Sequence, residues 1–366
     1  MTTGFYWDER CFWHSGGNYS FMLPTGGLVQ PGGGLPESPE TKRRFKNLLD
    51  VTGLLAELDV ATAPPVTRED LLRVHPADFL DTFEATAKAG GGEIGMRAPF
   101  GPDGYKIASL SAGLARTALF NVLEGRNRNA YALSRPPGHH CTRDWQNGFC
   151  LLANIAIAIE AGFATQKASR IAVLDWDVHH GNGTEAIFYD RADVLTISVH
   201  QDKNYPLDTG AFADRGSEAG EGFNLNIPLP PGTGHNGYLA AMDRLVIPQI
   251  RAFQPDAIII ACGFDASAFD PLGRMLASAE TFRDMTARVM ALADEVCDGR
   301  LVMVHEGGYS EAYVPFCGHA VVAEMAGSAI DAPDAFAESL RKRQPDARFD
   351  AFVSDQIDEM AAALSS

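Results

Sequence analysis

The sequence lacks the two features that carry a chain into or across a membrane. It contains no apolar run of 18 or more residues, and its first residues do not form a basic segment followed by an apolar run. A bilayer-spanning helix needs about 20 apolar residues, and a secretory signal needs both of those segments. We therefore expect no membrane span and no secretion, and we predict a soluble, cytoplasmic protein.

Positive charge is also scarce. The chain has 30 Lys and Arg residues against 47 Asp and Glu residues, which gives a formal net charge of −17. Proteins that bind nucleic acid use lysine and arginine to neutralise backbone phosphates, so we expect no nucleic-acid partner. Hydrophobic residues make up 46% of the 366 and charged residues 21%, which is typical of a folded globule and excludes intrinsic disorder.

The six cysteines include no CxxC pair. This absence argues against a thiolate zinc finger and against a disulfide framework. Most of these cysteines are expected to be buried apolar side chains. They are Cys11, Cys141, Cys150, Cys262, Cys297 and Cys317.

Short apolar runs alternate with amphipathic segments along the chain. Five runs rich in Ile and Val predict buried parallel strands, at residues 131–133, 171–174, 194–199, 257–261 and 301–304. Four segments of helical period precede or separate them, at 107–123, 154–161, 238–252 and 279–296. The alternation predicts one α/β domain over residues 1–366, in which helices cover a parallel sheet.

Two stretches rich in glycine or proline predict long loops, at residues 23–40 and 90–104. Loops of this length in a compact domain are often functional, and the first is a candidate to line an entrance or to mediate assembly. Ser38 and Pro39 predict the start of a helix that continues to about Leu49, with Ser38 as its N-cap. The last ~20 residues predict a terminal helix on the surface.

The first cluster of chemically active residues is RPPGHH at 135–140, directly after a predicted strand. Pro-Pro-Gly ends regular structure, so His139 and His140 fall on a turn at the carboxyl end of a strand, where open α/β sheets bind ligands. Histidine can accept and return a proton near neutral pH. Two incidental loop histidines are the alternative interpretation of this pair.

The second cluster is LDWDVHHGNGT at 174–184. In an extended chain alternate residues point the same way, so Asp175, Asp177 and His179 are predicted to share one face. Buried carboxylates without a counter-charge are unfavourable by several kcal/mol, and a divalent cation is the usual compensation. A hydrogen-bonded acidic turn is the alternative.

A third strand ends in GFDA at 263–266 and delivers Asp265 to the same edge. Together with the second cluster it predicts a three-ligand metal site formed by Asp177, His179 and Asp265. Such ligands with open positions suit a catalytic zinc ion. Fe²⁺ suits the same ligands, so the sequence leaves the two metals open.

The fourth cluster is HEGGY at 305–309. Two glycines turn the chain sharply and return Tyr309 toward the same edge of the sheet. Its hydroxyl could stabilise an oxyanion that develops on a carbonyl group. A tyrosine that merely packs after a glycine turn is the alternative.

RPPGHH, DxDxHHGNGT, GFDA and EGGY, in this order, resemble the zinc-dependent histone deacetylase family of the arginase/deacetylase superfamily. Asn182 and Glu306 make the sequence most similar to the class II branch and its bacterial histone deacetylase-like amidohydrolases. The resemblance implies one domain with a central parallel sheet of about eight strands between helices, with the site at the carboxyl ends of the strands. It also implies hydrolysis of a linear N-acyl amide, above all an acetyl amide.

The resemblance implies a role for each residue of the site. Asp177, His179 and Asp265 would bind one Zn²⁺ per chain. His140 would be the general base toward the attacking water and then the acid toward the leaving amine. The remaining catalytic residues would be His139 as the partner of His140, Asp175 orienting His139, Asn182 contacting His140, and Tyr309 donating to the carbonyl oxygen.

Further residues are implied around the substrate and around structural potassium. The substrate tunnel would be lined by Gly148, Phe149, Tyr205 and Leu272. The first potassium site would use Asp175, Asp177, His179, Ser198 and Val199. The second potassium site would use Phe188, Arg191, Val194 and Phe223.

The sequence departs from the family pattern at the rim. Eukaryotic members carry an aspartate that clamps the substrate, but the matching stretch GMRAP at 95–99 has none, and Glu93 is the nearest carboxylate. Leu272 stands where a polyamine-specific relative carries Glu, which argues against polyamines. The substrate is therefore expected to be acetyl-lysine-like or another small acyl amide, with an acetylpolyamine as the alternative. Bacterial relatives often form dimers or tetramers, so we expect a homodimer or homotetramer.

Two rival functions remain. A ureohydrolase of the arginase type would share the fold, but it needs two Mn²⁺ ions and another aspartate two positions after Asp265, where this chain has Ser267. A non-catalytic protein that binds an acylated partner needs neither a base nor an oxyanion donor. The presence of His139, His140 and Tyr309 argues against that second alternative.

Overall fold

The computed structural model of the protein describes residues 2–17, 19–24, 28–29 and 34–364. The strands in these ranges are β1 (Gly4–Tyr6), β2 (Tyr19–Ser20), β3 (Leu23–Pro24), β4 (Asp59–Ala61), β5 (Asn129–Ala132), β6 (Ile171–Asp175), β7 (Val194–Gln201), β8 (Asn224–Leu229), β9 (Ala257–Cys262) and β10 (Leu301–His305). Eight of them form one sheet in the order β4-β1-β5-β10-β9-β6-β7-β8. Every neighbouring pair in this sheet is parallel.

Helices flank the sheet. They are α1 (Pro39–Thr52), α2 (Arg68–Leu72), α3 (Ala77–Lys88), α4 (Gly104–Leu123), α5 (Asn154–Ala164), α6 (Asn182–Phe188), α7 (His235–Ala241), α8 (Ile247–Phe253), α9 (Ala279–Val296), α10 (Val314–Ala326), α11 (Ala337–Lys342) and α12 (Ala347–Leu364). A π-helical turn at Met242–Val246 joins α7 to α8. None of the described helices combines the length and the apolarity that a membrane crossing needs.

Buried parallel strands form the centre because helices cover both of their faces. Every residue of β9, with the sequence AIIIAC, is buried. The helices α4 and α5 pack against each other, and α4 also contacts β1, β5 and β10. In a second group, α10 packs between α1 and α9. In that group α10 contacts β5, and α9 contacts β10. The predicted α/β architecture is therefore confirmed.

The helix ends follow the capping signals of the sequence. Ser38 Oγ accepts from Glu40 N at 3.1 Å, and Pro39 occupies the first turn of α1. Gly53 ends α1 at φ 87°, in the left-handed region that glycine adopts without steric penalty. The predicted N-cap and the predicted terminal helix are both confirmed, the latter as α12.

The five predicted strands are confirmed, but the strands β1, β4 and β8 of the same sheet were not predicted. These three strands are short or carry polar residues, so they lack a long apolar run. The prediction that residues 23–40 form a loop was wrong at β3, which pairs antiparallel with β2. Residues 25–27 and 30–33 of that predicted loop lie outside the described residues.

The second predicted loop, 90–104, is irregular up to the start of α4. Gly92 and Phe100 exchange two backbone hydrogen bonds of 2.8 Å, which close this loop on itself. All six cysteines are free and buried, as predicted.

Candidate active site and metal centre

The four sequence clusters follow four strands that are neighbours in the sheet. RPPGHH follows β5, and GFDA follows β9. HEGGY begins with the last residue of β10, and LDWDVHHGNGT begins with the last two residues of β6. Because the strands are parallel, their carboxyl ends meet along one edge. The sheet order β5-β10-β9-β6 therefore brings the clusters into one site, although the chain reaches them in a different order.

The three predicted metal ligands converge. His179 Nδ1 lies 3.0 Å from Asp177 Oδ1 and 3.0 Å from Asp265 Oδ2. One ligand atom from each of the three residues lies within 4.8 Å of the other two, and all three residues are buried. The arrangement matches a site of one imidazole and two carboxylates that closes around a single ion.

The charges of this group favour a cation between the carboxylates. Burial raises the pKa of Asp265 to about 6, and the charge of Asp177 adds to this. Burial alone would also raise the pKa of Asp177, but the neighbouring histidines His139 and His179 outweigh it and lower that pKa. The pKa of Asp265 is thus raised beside the charge of Asp177, and a divalent ion at this place would favour the ionised form of both carboxylates. The donor set therefore fits Zn²⁺, and the same donors fit Fe²⁺.

Strand alternation does not explain how the ligands meet. The strand β6 ends at Asp175, so Asp177 and His179 lie in the irregular segment that follows it. Backbone amides hold the segment instead: Val178 N donates to Asp265 Oδ1 at 2.8 Å, and His179 N donates to Asp177 Oδ1 at 3.0 Å. The prediction of convergence was correct, but its assumed geometry was wrong.

The histidine pair stands beside the three ligands. His139 Nδ1 donates to Asp175 Oδ2 at 2.9 Å, and His140 Nδ1 donates to Asn182 Oδ1 at 2.7 Å. The centres of the two imidazole rings are 4.0 Å apart. Each ring therefore has its Nδ1 atom fixed by its own acceptor. Nε2 of His139 lies 3.9 Å from Asp177 Oδ2, and His140, whose Nδ1 donates to Asn182, has its Nε2 atom available to accept a proton.

The two histidines have opposite pKa shifts. Burial alone would lower the pKa of His139, but Asp175 and Asp177 outweigh it, and the pKa is raised well above the usual value. Burial, with the positive charges of His139 and His179, holds the pKa of His140 well below the usual value. A neutral imidazole beside a cationic one is a pair suited to accept a proton at Nε2 of His140.

Glu306 supports the turn that carries both histidines. Its Oε2 atom accepts from Gly138 N at 2.7 Å and from His139 N at 3.1 Å. Burial raises the pKa of Glu306 to about 7. From the sequence, Glu306 indicated only similarity to the class II branch, because no local pattern links it to a turn 168 residues away.

Tyr309 lies near the predicted metal ligand His179. Its ring centre is 5.7 Å from that of Phe149 and 6.4 Å from that of His179. Its backbone N donates to Asp270 Oδ2 at 2.7 Å. Asp270 is a second supporting residue that the sequence analysis did not find.

A cavity of about 150 Å³ opens between these groups. The four predicted tunnel residues Gly148, Phe149, Tyr205 and Leu272 all line it. Its other described lining residues are Met22, Arg97, His140, His179, Asn204 and Tyr309. Glu93 is not among them, because its Oε1 accepts from Ala98 N at 2.9 Å. The residue of this segment that reaches the cavity is Arg97.

The first predicted potassium set lies where β6 pairs with β7. Asp175 and Ser198 are register partners, and Val199 follows on β7. Ser198 Oγ accepts from Gly181 N at 3.4 Å. Asp177 and His179 of this set are also the predicted metal ligands, so the two sites would be adjacent. Potassium here stays a prediction.

The second predicted potassium set lies at the opposite end of β7. Val194 begins this strand. The carbonyl of Phe188 accepts from Arg191 N, and the carbonyl of Phe223 accepts from Thr196 N, each at 3.0 Å. These contacts bring the segments of the set together, and an ion at this place also stays a prediction.

Comparisons with known proteins place these features in a family. Residues 35–325 match the histone deacetylase domain. The chain belongs to the histone deacetylase family. It is 54% identical over 362 residues to a histone deacetylase-like amidohydrolase of Pseudomonas aeruginosa, an alignment that covers 98% of this chain and 95% of the relative.

Other relatives of the family agree. The chain is 38% identical over 321 residues to a probable deacetylase of Archaeoglobus fulgidus, with 85% of this chain and 88% of the relative covered. Its fold matches the crystal structure of the HDA15 HD domain with a TM-score of 0.82 and 30% identity, over 99% of this chain and 98% of that one. These matches support a deacetylase or amidohydrolase, a hydrolase that acts on amides.

Proposed function

We propose that this deacetylase family member hydrolyses a linear N-acyl amide with one Zn²⁺ bound by Asp177, His179 and Asp265. The preferred acyl group is acetyl, and the substrate is acetyl-lysine-like or another small acyl amide. The observation that carries the proposal is the meeting of these three ligands, the histidine pair and Tyr309 around one cavity. A zinc ion in such a site supplies Lewis acidity, which polarises a carbonyl group and acidifies water.

The proton transfers fall to the histidine pair. Since Nδ1 of His140 donates to Asn182, its Nε2 atom is free to take the proton of the attacking water and to pass it to the leaving amine. His139 remains cationic through Asp175 and keeps the neighbouring His140 neutral before the reaction. In this pair His140 would act as the base, and the charge of His139 would act on His140 electrostatically.

The remaining residues hold the substrate and its developing charge. The Tyr309 hydroxyl would donate to the carbonyl oxygen as it becomes an oxyanion, with its backbone fixed by Asp270. Phe149 and Tyr205 would enclose the alkyl chain of the substrate and exclude water from the amide. We extend the proposal to structural K⁺ at the two predicted sets and to an assembly of two or four chains.

The test is hydrolysis of a fluorogenic acetyl-lysine amide by protein that has been stripped of metal and then loaded with Zn²⁺. We expect turnover with one Zn²⁺ per chain, loss of turnover with chelator, and recovery on re-addition. Asp265→Asn should lose both metal and turnover, because a carboxylate ligand is removed. The matched control Asp358→Asn changes a mostly exposed aspartate and should lose neither. Two Mn²⁺ per chain, or no turnover by fully zinc-loaded protein, would overturn the proposal.

A further inference from the structure

An arginine stands at the mouth of the active-site cavity. Arg97 is exposed and lines the cavity, and its guanidinium carbon lies 5.3 Å from the centre of the Tyr205 ring. Among the described lining residues it is the only lysine or arginine, and none is an aspartate or a glutamate. The chain as a whole has 47 acidic and 30 basic residues. The positive charge at the cavity mouth is therefore opposite in sign to the net charge of the protein.

The backbone holds Arg97 in this place. Met96 N donates to Gln146 O at 2.9 Å, and Phe149 N donates to Arg97 O at 2.8 Å. Arg97 has a φ of 57°, in the left-handed region that is unfavourable for a residue with a Cβ atom. These contacts hold the backbone of Arg97 against the segment that carries Phe149.

The Tyr205 ring relates Arg97 to the reacting end of the cavity. The centre of this ring is 5.1 Å from that of His140 and 6.1 Å from that of His179. A single aromatic ring thus separates the guanidinium of Arg97 from the histidines at the bottom of the cavity. An extended substrate whose amide lies at the bottom of the cavity, beside these histidines, would have its other end near Arg97. Because Arg97 is exposed, solvent partly screens its charge, and we expect its interaction with the charge of that end to be modest.

We propose that Arg97 selects linear N-acyl amines that carry a carboxylate at the end opposite to the amide. This inference rests on the proposed amide hydrolysis and names its substrate class. The guanidinium attracts the carboxylate, which it can bind through two parallel hydrogen bonds. It repels the ammonium group of an acylated polyamine, and no described lining carboxylate offsets that repulsion.

Three acetamides of similar length test the proposal: 6-acetamidohexanoate, N-pentylacetamide and N-acetylcadaverine, which are anionic, neutral and cationic. The readout is the ratio of kcat/KM for the anion to kcat/KM for the cation within one zinc-loaded preparation, since this ratio cancels metal occupancy and the folded fraction. For the wild type we expect a ratio of about ten, from one partly shielded charge contact of each sign. The ratio should fall as salt is added.

Variants of Arg97 test whether this residue causes the preference for the anionic substrate. Arg97→Gln should bring the ratio close to one, and Arg97→Lys should retain most of it because the positive charge remains. The control Arg283→Gln removes a partly exposed arginine that pairs with Asp331 and should keep the wild-type ratio. An equal ratio in wild type and Arg97→Gln would overturn the inference, as would a wild-type preference for the cation.

The fluorogenic acetyl-lysine amide separates this inference from the proposed function. Turnover of that amide together with a ratio that does not depend on Arg97 refutes the inference alone. No turnover of any of the four amides by zinc-loaded wild type refutes the proposed function, and the inference with it. If Arg97→Gln slows all substrates equally, Arg97 acts only on the shape of the cavity wall, and the charge selection is wrong.

Discussion

Gly307 provides the space in which the two carboxylates of the proposed metal site lie. A Cβ atom on Gly307 would lie 2.2 Å from Asp265 Oδ2 and 2.6 Å from Asp177 Oδ2. Gly307 does not adopt a positive φ, so an alanine here adds no backbone strain and acts only through its volume. Both carboxylates must therefore retreat in Gly307→Ala, the nearer one by about 1 Å to reach ordinary contact in a close-packed interior.

The size of this shift sets the expected loss of metal. Ligand distances in metal sites tolerate about 0.2 Å, so a displacement of about 1 Å exceeds the tolerance several-fold. We expect the Zn²⁺ affinity of Gly307→Ala to fall about 10- to 100-fold or more, as it does when groups that orient ligands are changed. Overpacking should also lower the free energy of unfolding of the metal-free protein by about 1–3 kcal/mol.

Competition with a chromophoric chelator measures the Zn²⁺ affinity, and urea unfolding of stripped protein measures the stability. Gly162→Ala is the matched control, because its new Cβ would lie 3.8 Å from Leu119 Cδ2, in ordinary contact within α5. Alanine at that helical position should stabilise the protein by about 1 kcal/mol and leave metal binding intact. A folded Gly307→Ala protein with wild-type Zn²⁺ affinity would refute the reasoning.

Two further predictions concern the proposed oxyanion donor and a buried ion pair. Tyr309→Phe should lower kcat by about 10²- to 10³-fold with full zinc content, whereas Tyr189→Phe should not; a similar kcat for both would remove Tyr309 from the mechanism. Burial alone would raise the pKa of Glu37, but Arg135 and Lys42 outweigh it and lower that pKa to about 2. The stability from Glu37 is therefore present above the ordinary pKa of 4.5 and is lost as the pH falls through about 2. The destabilisation caused by Glu37→Gln, about 3–5 kcal/mol at pH 6 because two buried cations lose their carboxylate, should shrink over that pH range; a constant difference would contradict it.

Local patterns determined the elements that carry the site. The apolar runs before RPPGHH, before GFDA and in front of HEGGY each became a central strand. In the last two, Ile and Val suit a strand that is buried on both faces. The capping signals at Ser38 likewise fixed the start of α1. The residue types of the four clusters also indicated the chemistry, because paired histidines and clustered carboxylates have few other uses at the end of a strand.

Only the tertiary structure decided which strands are neighbours in the sheet and which residues support the side chains of the site. The order β5-β10-β9-β6 differs from the order along the chain, and it places Gly307 N 2.8 Å from Asp177 Oδ2 across 130 residues. Glu306 beneath the histidine turn, Asp270 behind Tyr309 and Arg97 over Tyr205 are contacts of the same kind. The sequence by itself determined which chemical groups end each strand, because period and capping act over a few residues. Which strands become neighbours depends on the packing of the whole core, and no short pattern records that outcome.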